Sequence, residues 1–537
     1  MSINRNIAAL QSEFDLLIIG GGVTGVALAR EAARRNLSCC LIEKNDFGWA
    51  TSAATSKLLH GGVRYLENYE FGLVRQSIRE RRNIGNAATH MVHTTPFVFP
   101  LYNNRSRWHH WRSRLGLFLY DMLAYDRNRR VPADLRIPGH HFKTREAIQK
   151  EAPAIHANGL RGGYVYYELQ SHFPERLLLE WALTAEQAGA RLFNHMRCDE
   201  FLLEGSDRTS SSAGDHTGHS ASAKTGRSAR IRGVCVTDVL TNNTHTIHAR
   251  IIINATGPWL EEILTESNFP VPSPVTLSKS TGIHFVTEPL LGPDSAYVFA
   301  LERGTHIFII PWRGYSLIGL TDEPYNASAD ELYPRETEVS QLFEDVNTVL
   351  ADRPLKKEMI RYIFTGIRPL IFSQKSTYNA SRKSELFDFR KQGIENLYSV
   401  AGGKWTTSRD LAEYAIHVIQ KQQSHFHPVQ NIDTAREAFV SSCGYGESVR
   451  DYRRFVAQQN AWPAVNADII DHLIGLYGRR FQEVLRIAAQ QPDQKLKRIQ
   501  SESPDVYAQI DMAVLYESAR TLDDIVRRRL ICGTTGV

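Results

Sequence analysis

Residues able to do chemistry crowd between Gly20 and Glu67. Gly20-Gly21-Gly22-Val23-Thr24-Gly25 fits G-x-G-x-x-G, a pattern whose glycines let backbone N–H groups approach a pyrophosphate at a helix N-terminus. Glu43 follows at the spacing of an acid that accepts hydrogen bonds from an adenosine ribose. The next block, Ala50 to Glu67, is dense in Gly, His, Arg and Tyr and holds Ser52, Ser56, Lys57, His60, Arg64 and Tyr65. His60 precedes Gly61-Gly62, where a backbone can approach a ligand closely. An imidazole suits proton transfer near neutral pH. A guanidinium offers a two-pronged fork to a phosphate.

The elements that position these residues are legible around them. Phe14 to Ile19 is an apolar run of strand type, Val26 to Arg35 is Ala-rich and helical, and Cys39 to Ile42 is a second apolar run that ends at Glu43. This is the β-α-β dinucleotide fingerprint in its expected context. Strands are expected at Ile231–Leu240 and Thr246–Ile253, the latter closing on Asn254-Ala255-Thr256-Gly257-Pro258-Trp259. Leu397 to Val400 is another strand and runs into Ala401-Gly402-Gly403-Lys404-Trp405-Thr406-Thr407, ahead of a helix from about Ser408. Residues 271–390 alternate short strand-like runs, such as His306–Pro311 and Ser316–Leu320, with turns, and predict an antiparallel sheet.

The fold class expected is α/β. Residues 1–95, 174–270 and 391–428 are assigned to a discontinuous cofactor-binding domain. Residues 96–173 and 271–390 are assigned to a substrate- and membrane-facing domain, and 429–537 to a helical domain. A chain of 537 residues is long enough for two or three domains. Its 42% hydrophobic and 23% charged residues are those of an ordinary globular protein.

The net charge of +5 is small for this length, so nucleic acid is not an expected partner. The six Cys form no C-x-x-C pair, and Cys39 and Cys40 lie inside the second strand as packing. A reduced, intracellular protein without a metal site follows. No apolar run approaches the roughly 20 residues that span a bilayer. The first strand begins near residue 14, which leaves little room for a signal peptide.

Residues 97–140 interleave Trp108, Trp111, Leu115, Leu117, Phe118, Leu119 and Tyr120 with Arg105, Arg107, Arg112, Arg114, Arg127, Arg129 and Arg130. Two readings stand open: a membrane-surface helix, or a solvated basic face packed on a core by its aromatics. Ser206 to Ser228 is rich in Ser, Gly, Thr and His and reads as a mobile hairpin loop.

The run Ala50-Thr51-Ser52-Ala53-Ala54-Thr55-Ser56-Lys57-Leu58-Leu59-His60-Gly61-Gly62-Val63-Arg64-Tyr65-Leu66-Glu67 closely resembles the FAD-dependent glycerol-3-phosphate dehydrogenases, respiratory enzymes that feed quinone. The resemblance continues through Tyr69-Glu70-Phe71, Ala255-Thr256-Gly257-Pro258-Trp259, Gly319-Leu320-Thr321-Asp322, Gly366-Ile367-Arg368-Pro369-Leu370 and Gly402-Gly403-Lys404-Trp405-Thr406-Thr407. It covers residues 14–415 in the same order. Thr521-Leu522-Asp523-Asp524 and Arg527-Arg528-Arg529 are similar to that family's C-terminal domain.

The resemblance implies a Rossmann-like FAD-binding domain of the glutathione-reductase and amino-acid-oxidase type, an antiparallel substrate domain and a C-terminal helical domain. It implies FAD held by Gly20, Gly22, Gly25, Glu43, Ser52, Ser56, Lys57, Gly257, Gly403, Lys404 and Thr406. Ser52, Ser56 and Lys57 could equally cap the next helix. The implied reaction oxidises sn-glycerol 3-phosphate to dihydroxyacetone phosphate, with a hydride passing from C2 to flavin N5. Arg64, Tyr65, Arg368 and Lys404 are the expected substrate ligands, and Arg368 also stabilises the developing alkoxide. His60 and His284 compete as the base, a choice the residues leave open.

Electrons are expected to reach a membrane quinone from an enzyme held peripherally on the cytoplasmic membrane, with a homodimer left open. Three alternatives stand beside this reading: an oxidase that reduces O2 to H2O2, an amine oxidase, and a non-catalytic flavin-binding relative. Arg64 and Arg368 argue for a phosphate and against the amine. Two positions depart from the family pattern: Thr281 stands where a Lys is common, with Lys279 nearest, and Ser408 replaces a Tyr.

Overall fold

The computed structural model describes the chain except residues 1, 4, 104–106, 205–228, 268, 270–272, 352, 373–383, 424–425, 427–431 and 537, and the side chains of 107–110. The segment Ser206–Ser228, Arg105 and the side chains of Arg107 and Trp108 therefore lie outside the described residues.

Strand β1 (Phe14–Ile19) sits at the centre of a nine-stranded sheet. It pairs in parallel with β2 (Cys39–Ile42) on one side and with the strand Thr244–Asn254 on the other. The strand Leu397–Gly402 extends the parallel set beyond Asn254. Parallel strands covered on both faces read as continuous apolar runs, and Leu16, Leu17 and Ile18 are fully buried. Burying each such side chain contributes about 1.5–3 kcal/mol.

Helix α1 (Val23–Arg34) lies against the sheet and packs on the helices Pro174–Gln187 and Ser408–Gln422. Register brings Ile19, Ile42 and Asn254 to one edge. The carboxyl ends of parallel strands are where an open α/β sheet binds its ligand.

A ten-stranded sheet forms the second layer. Its pairing is antiparallel except where Ala296–Ala300 meets Val92–Tyr102 in parallel. The short strand Leu58–Leu59 pairs with Leu160–Ser171 in this second sheet, although it follows directly on the fingerprint region. The chain therefore crosses from one sheet to the other just before His60. The strand Leu277–Thr287 is the hub, pairing with Ile360–Ile371, Tyr315–Gly319 and Glu323–Pro324.

The last part of the chain is helical, with Val449–Gln459, Ala467–Tyr477, Phe481–Ala488 and Ala508–Tyr516 around an apolar cluster that also takes in Phe173, followed by Leu522–Arg528. A buried ionic junction joins it to the loop after Glu43. Arg528 Nε donates to Asp46 Oδ2 at 2.6 Å and Arg529 Nη2 to Asp46 Oδ1 at 3.0 Å. Asp46, His195 and Asp524 converge there, and the two guanidiniums supply the positive charge. Among the described residues no helix is long and apolar enough to cross a membrane.

Candidate active site

The edge where the parallel strands end opens into a cavity of about 520 Å³ between the two sheets. One wall is backbone. Gly20 has φ +109°, and a Cβ there would meet the carbonyl of Ala255 at 2.6 Å, so only glycine lets the turns after β1 and Asn254 touch. Gly22 faces open space in which a Cβ would meet only Ser52 Oγ, at 3.2 Å. Gly257 has φ +60° and no heavy atom within 4 Å of a Cβ position.

Gly403, Thr406 and Lys404 line the same cavity. Glu43 lines it too, and its carboxylate accepts from the N–H of Gly21 at 2.7 Å, of Asn45 at 2.9 Å and of Trp49 Nε1 at 3.0 Å. Burial pushes the Glu43 carboxyl up, and those three donors oppose the shift.

The opposite wall is made of side chains. His60, Arg64 and Tyr65 follow the strand Leu58–Leu59 and line the cavity. The His60 N–H donates to Thr406 Oγ1 at 3.3 Å, and the Gly61 N–H to Glu168 Oε2 at 2.9 Å. Lys404 Nζ donates to Ser77 Oγ and lies 4.2 Å from the centre of the Tyr65 ring.

His284 and Arg368 are brought together by strand pairing, since Ser280 stands opposite Arg368 and His284 opposite Phe364. The His284 ring stacks on Phe364 at 4.8 Å. Its Nε2 is 2.9 Å from Ser56 Oγ, and its Nδ1 is buried with no hydrogen-bond partner among the described residues. Burial, and then the cations of Arg368 and Lys57, lower the His284 pKa to about 3, so the ring is neutral at physiological pH.

Arg368 is held by protein oxygens. Nη1 donates to the carbonyl of Thr281 at 2.9 Å and to Ser280 Oγ at 3.2 Å, and Nη2 to the carbonyl of Thr321 at 2.8 Å. A Cβ on Gly282 would lie 1.8 Å from Nη2, so glycine at this position is what admits the guanidinium.

Two of the residues expected to hold the cofactor stand off the cavity. Lys57 does not line the cavity. Its side chain is buried in an ion pair with Glu175, Nζ also donates to the carbonyl of Ala53 at 3.0 Å, and its backbone N–H and carbonyl are engaged by Thr55 and Ser171. Gly25 does not line it either. A Cβ there would stand 1.8 Å from the carbonyl oxygen of Gly20, so this glycine lets α1 pack on β1. Ser52 lines the cavity and also caps a helix, the earlier one: its Oγ accepts from the N–H of Val23, the first residue of α1, at 3.0 Å.

Some lining residues carry no motif. Glu168 is buried at the cavity, takes the Gly61 N–H, accepts from Tyr120 Oη at 2.8 Å and pairs with Arg81. Its one signal is an acid directly after the aromatic strand sequence Tyr164-Val165-Tyr166-Tyr167. Trp49 and Trp259 meet at 5.5 Å near Glu43, with Lys44 4.4 Å from the Trp259 ring centre.

A family model described as FAD dependent oxidoreductase matches residues 15–414, and one described as the C-terminal domain of alpha-glycerophosphate oxidase matches 430–535. A glycerol-3-phosphate dehydrogenase of Synechocystis sp. is 32% identical over 536 residues, covering 98% of this chain and 90% of its own. One from Mycobacterium leprae is 30% identical, covering 96% and 81%.

The chain belongs to the FAD-dependent glycerol-3-phosphate dehydrogenase family.

As a member, it is a flavoprotein oxidoreductase with FAD as cofactor. Its fold matches the solved glycerol-3-phosphate dehydrogenase of Bacillus halodurans complexed with FAD, at a TM-score of 0.71, 23% identity and coverage of 97% and 86%. The α/β fold with a C-terminal helical domain, expected from sequence, holds. The residues fit FAD on physical grounds as well. Gly22 and Gly257 leave a cradle that a side chain would fill, and an acid stands at the end of β2. Of the two departures from the dehydrogenase pattern, Thr281 is 1% exposed and donates to Glu338 Oε1 at 2.9 Å. Ser408 begins a helix, with Oγ donating to the carbonyl of Lys404 at 3.2 Å.

Proposed function

We propose that the protein oxidises sn-glycerol 3-phosphate to dihydroxyacetone phosphate and passes the electrons to a membrane quinone. The observation that carries the substrate reading is one cavity wall with Arg64, Tyr65, Lys404 and Arg368 beside the imidazoles of His60 and His284. Bound FAD supplies the acceptor for the hydride that leaves C2.

Arg64 and Arg368 bind the phosphate as charge-assisted donors, with the Tyr65 phenol beside them. Lys404 and Arg368 stabilise negative charge on the reacting oxygen. His284 takes the hydroxyl proton, because its ring is held neutral and Ser56 fixes its orientation. A phosphate dianion beside Arg368 opposes the smaller part of the shift, the one due to the neighbouring cations, while burial remains its main cause. Replacing His284 by Asn therefore removes turnover while phosphate still binds. If His60→Asn alone removes it, His60 is the base.

The helix Arg107–Leu123 supports the membrane reading. Trp111, Leu115, Phe118 and Met122 recur at helical spacing and are all exposed, with Arg112 and Arg114 among them. The opposite face packs Tyr120, with Ala124 just beyond the helix, into the cluster that contains Tyr65. A bilayer under the exposed stripe would bring a dissolved quinone near the cavity wall.

Anionic phospholipid vesicles at low salt should pull the protein down on centrifugation, and salt should release it. Failure to bind at low salt would leave this stripe without a membrane role. Formation of one H2O2 per substrate in air would assign the electrons to O2. That alternative is kept because the C-terminal segment matches the model named for alpha-glycerophosphate oxidase.

A further inference from the structure

We infer that Glu338 is a positioning residue that sets Arg368 for its substrate, acting through the paired hydroxyls of Thr281 and Thr321. This rests on the phosphate role proposed for Arg368. The carbonyls that hold the guanidinium belong to Thr281 and Thr321. The hydroxyls of the same two residues converge on a single oxygen. Thr281 Oγ1 is 2.9 Å and Thr321 Oγ1 3.1 Å from Glu338 Oε1.

The proton directions are fixed by what each hydroxyl accepts. Thr281 Oγ1 accepts from Arg335 Nη2 at 2.9 Å, and Thr321 Oγ1 from the N–H of Ile283 at 3.1 Å. Each therefore has its own proton to give to the carboxylate; for Thr281 the carbonyl of Glu323, at 3.4 Å, is the more distant alternative acceptor. Arg335 Nε closes on Glu338 Oε2 at 2.8 Å.

Backbone pairing alone leaves this corner loose. The ladder beside Leu277–Thr287 pairs His284 with Gly319 and Thr281 with Glu323. Between those pairs the chain leaves the strand, so Gly319 and Glu323 bracket a segment that strand pairing does not hold. Thr321 sits in that segment, and its hydroxyl takes the N–H of Ile283. Glu338 joins the segment to the neighbouring strand.

The carboxylate is itself buried, at 2% exposed, which is costly unless it is paired and fully hydrogen-bonded. Two hydroxyls and one guanidinium meet that need here. Asp322 already shares the guanidinium: its Oδ1 pairs with Arg368 Nη1 at 3.4 Å. Once the two carbonyls relax, the guanidinium turns further toward Asp322 and away from an incoming phosphate.

The test uses the FAD-loaded enzyme and inorganic phosphate as a non-reacting probe, followed by the change it causes in flavin absorbance, alongside kcat and KM for glycerol 3-phosphate. Thr281→Val and Thr321→Val keep the side-chain shape and remove one hydroxyl each. Each should raise the phosphate Kd and the substrate KM about tenfold, with flavin content unchanged. The Ser variants, which restore the hydroxyl, should return both values close to wild type.

Arg368→Gln is titrated in parallel. If it weakens phosphate and the Val variants do not, the positioning role is overturned while the phosphate site stands. If Arg368→Gln leaves phosphate binding unchanged, the phosphate role fails first and the inference falls with it. Because Glu338→Ala leaves Arg335 unpaired beside a void and can fail to fold, the threonine variants carry the decision.

Discussion

The two walls of the cavity are built in opposite ways. The cofactor-facing wall is backbone: Gly20, Gly22 and Gly257 are there for what they lack, and a short β-α-β segment supplies most of it. The substrate-facing wall is side chain, drawn from Arg64, His284, Arg368 and Lys404 across most of the chain. Three of these groups also serve the protein: Lys404 with Ser77, His284 with Ser56 and Arg368 with two carbonyls. A backbone wall fails by being filled, whereas a side-chain wall fails by losing charge or aim.

The largest effect should come from overfilling the first wall. Gly25→Val puts a side chain into the carbonyl of Gly20 and should yield no stably folded protein, read by thermal unfolding of the apo-protein. Gly22→Val needs only a small shift of the Ser52 hydroxyl, so it should unfold at a temperature near that of the wild-type apo-protein yet carry no flavin. A yellow, FAD-loaded Gly22→Val enzyme would erase the contrast between the two glycines.

Next comes the second wall. Arg368→Ala should cost about 100-fold or more in kcat/KM with flavin retained, from the loss of charge-assisted donors to phosphate. Near-normal catalytic efficiency would remove Arg368 from the substrate site.

Lys57 sharpens the comparison, because it is a cation of the same motif turned the other way. Lys57→Met strands the Glu175 carboxylate and should cost about 3–5 kcal/mol of stability. The KM should stay near wild type, and a large rise in it would return Lys57 to the site.

The smallest effect is in pH. His284 and His90 are pushed down to about 3 and His93 to about 4, in each case first by burial. Their folded pKa values lie below the ordinary value of 6.5, so their contribution is complete above that pH and is lost as pH falls toward the folded values. His284→Phe removes one of these rings. It should flatten the slope of unfolding free energy between pH 6 and 4 by about 1.4 kcal/mol per unit. An unchanged slope would mean that burial does not hold the ring neutral.

The same contrast explains what sequence could reveal. The fingerprint was legible because glycine spacing, flanking apolar runs and Glu43 lie together, and strand Cys39–Ile42 falls where the apolar run stops. The His-Gly-Gly-Val-Arg-Tyr block was legible as a motif, but not its direction. Lys57 and Ser56 are neighbours, yet Ser56 meets His284 across the cavity while Lys57 turns into the core. A positive φ of 59° at Lys57 marks that change of course, and no residue type announced it.

Gly25 was read as a cofactor contact because the pattern counts three glycines, and only packing distances separate the one that admits a helix from those that admit a ligand. Glu168 was invisible because its partners Arg81 and Tyr120 are far away in sequence, and Glu338 because its link to Thr281 crosses from a helix to a distant strand.

The most direct measurement is anaerobic mixing of the purified yellow protein with glycerol 3-phosphate while following the oxidised flavin band. Rapid bleaching in the wild type, with little or none in Arg368→Ala carrying the same flavin, is the predicted result. A wild-type protein with flavin bound that does not bleach would contradict the proposed substrate and the role given to the second wall.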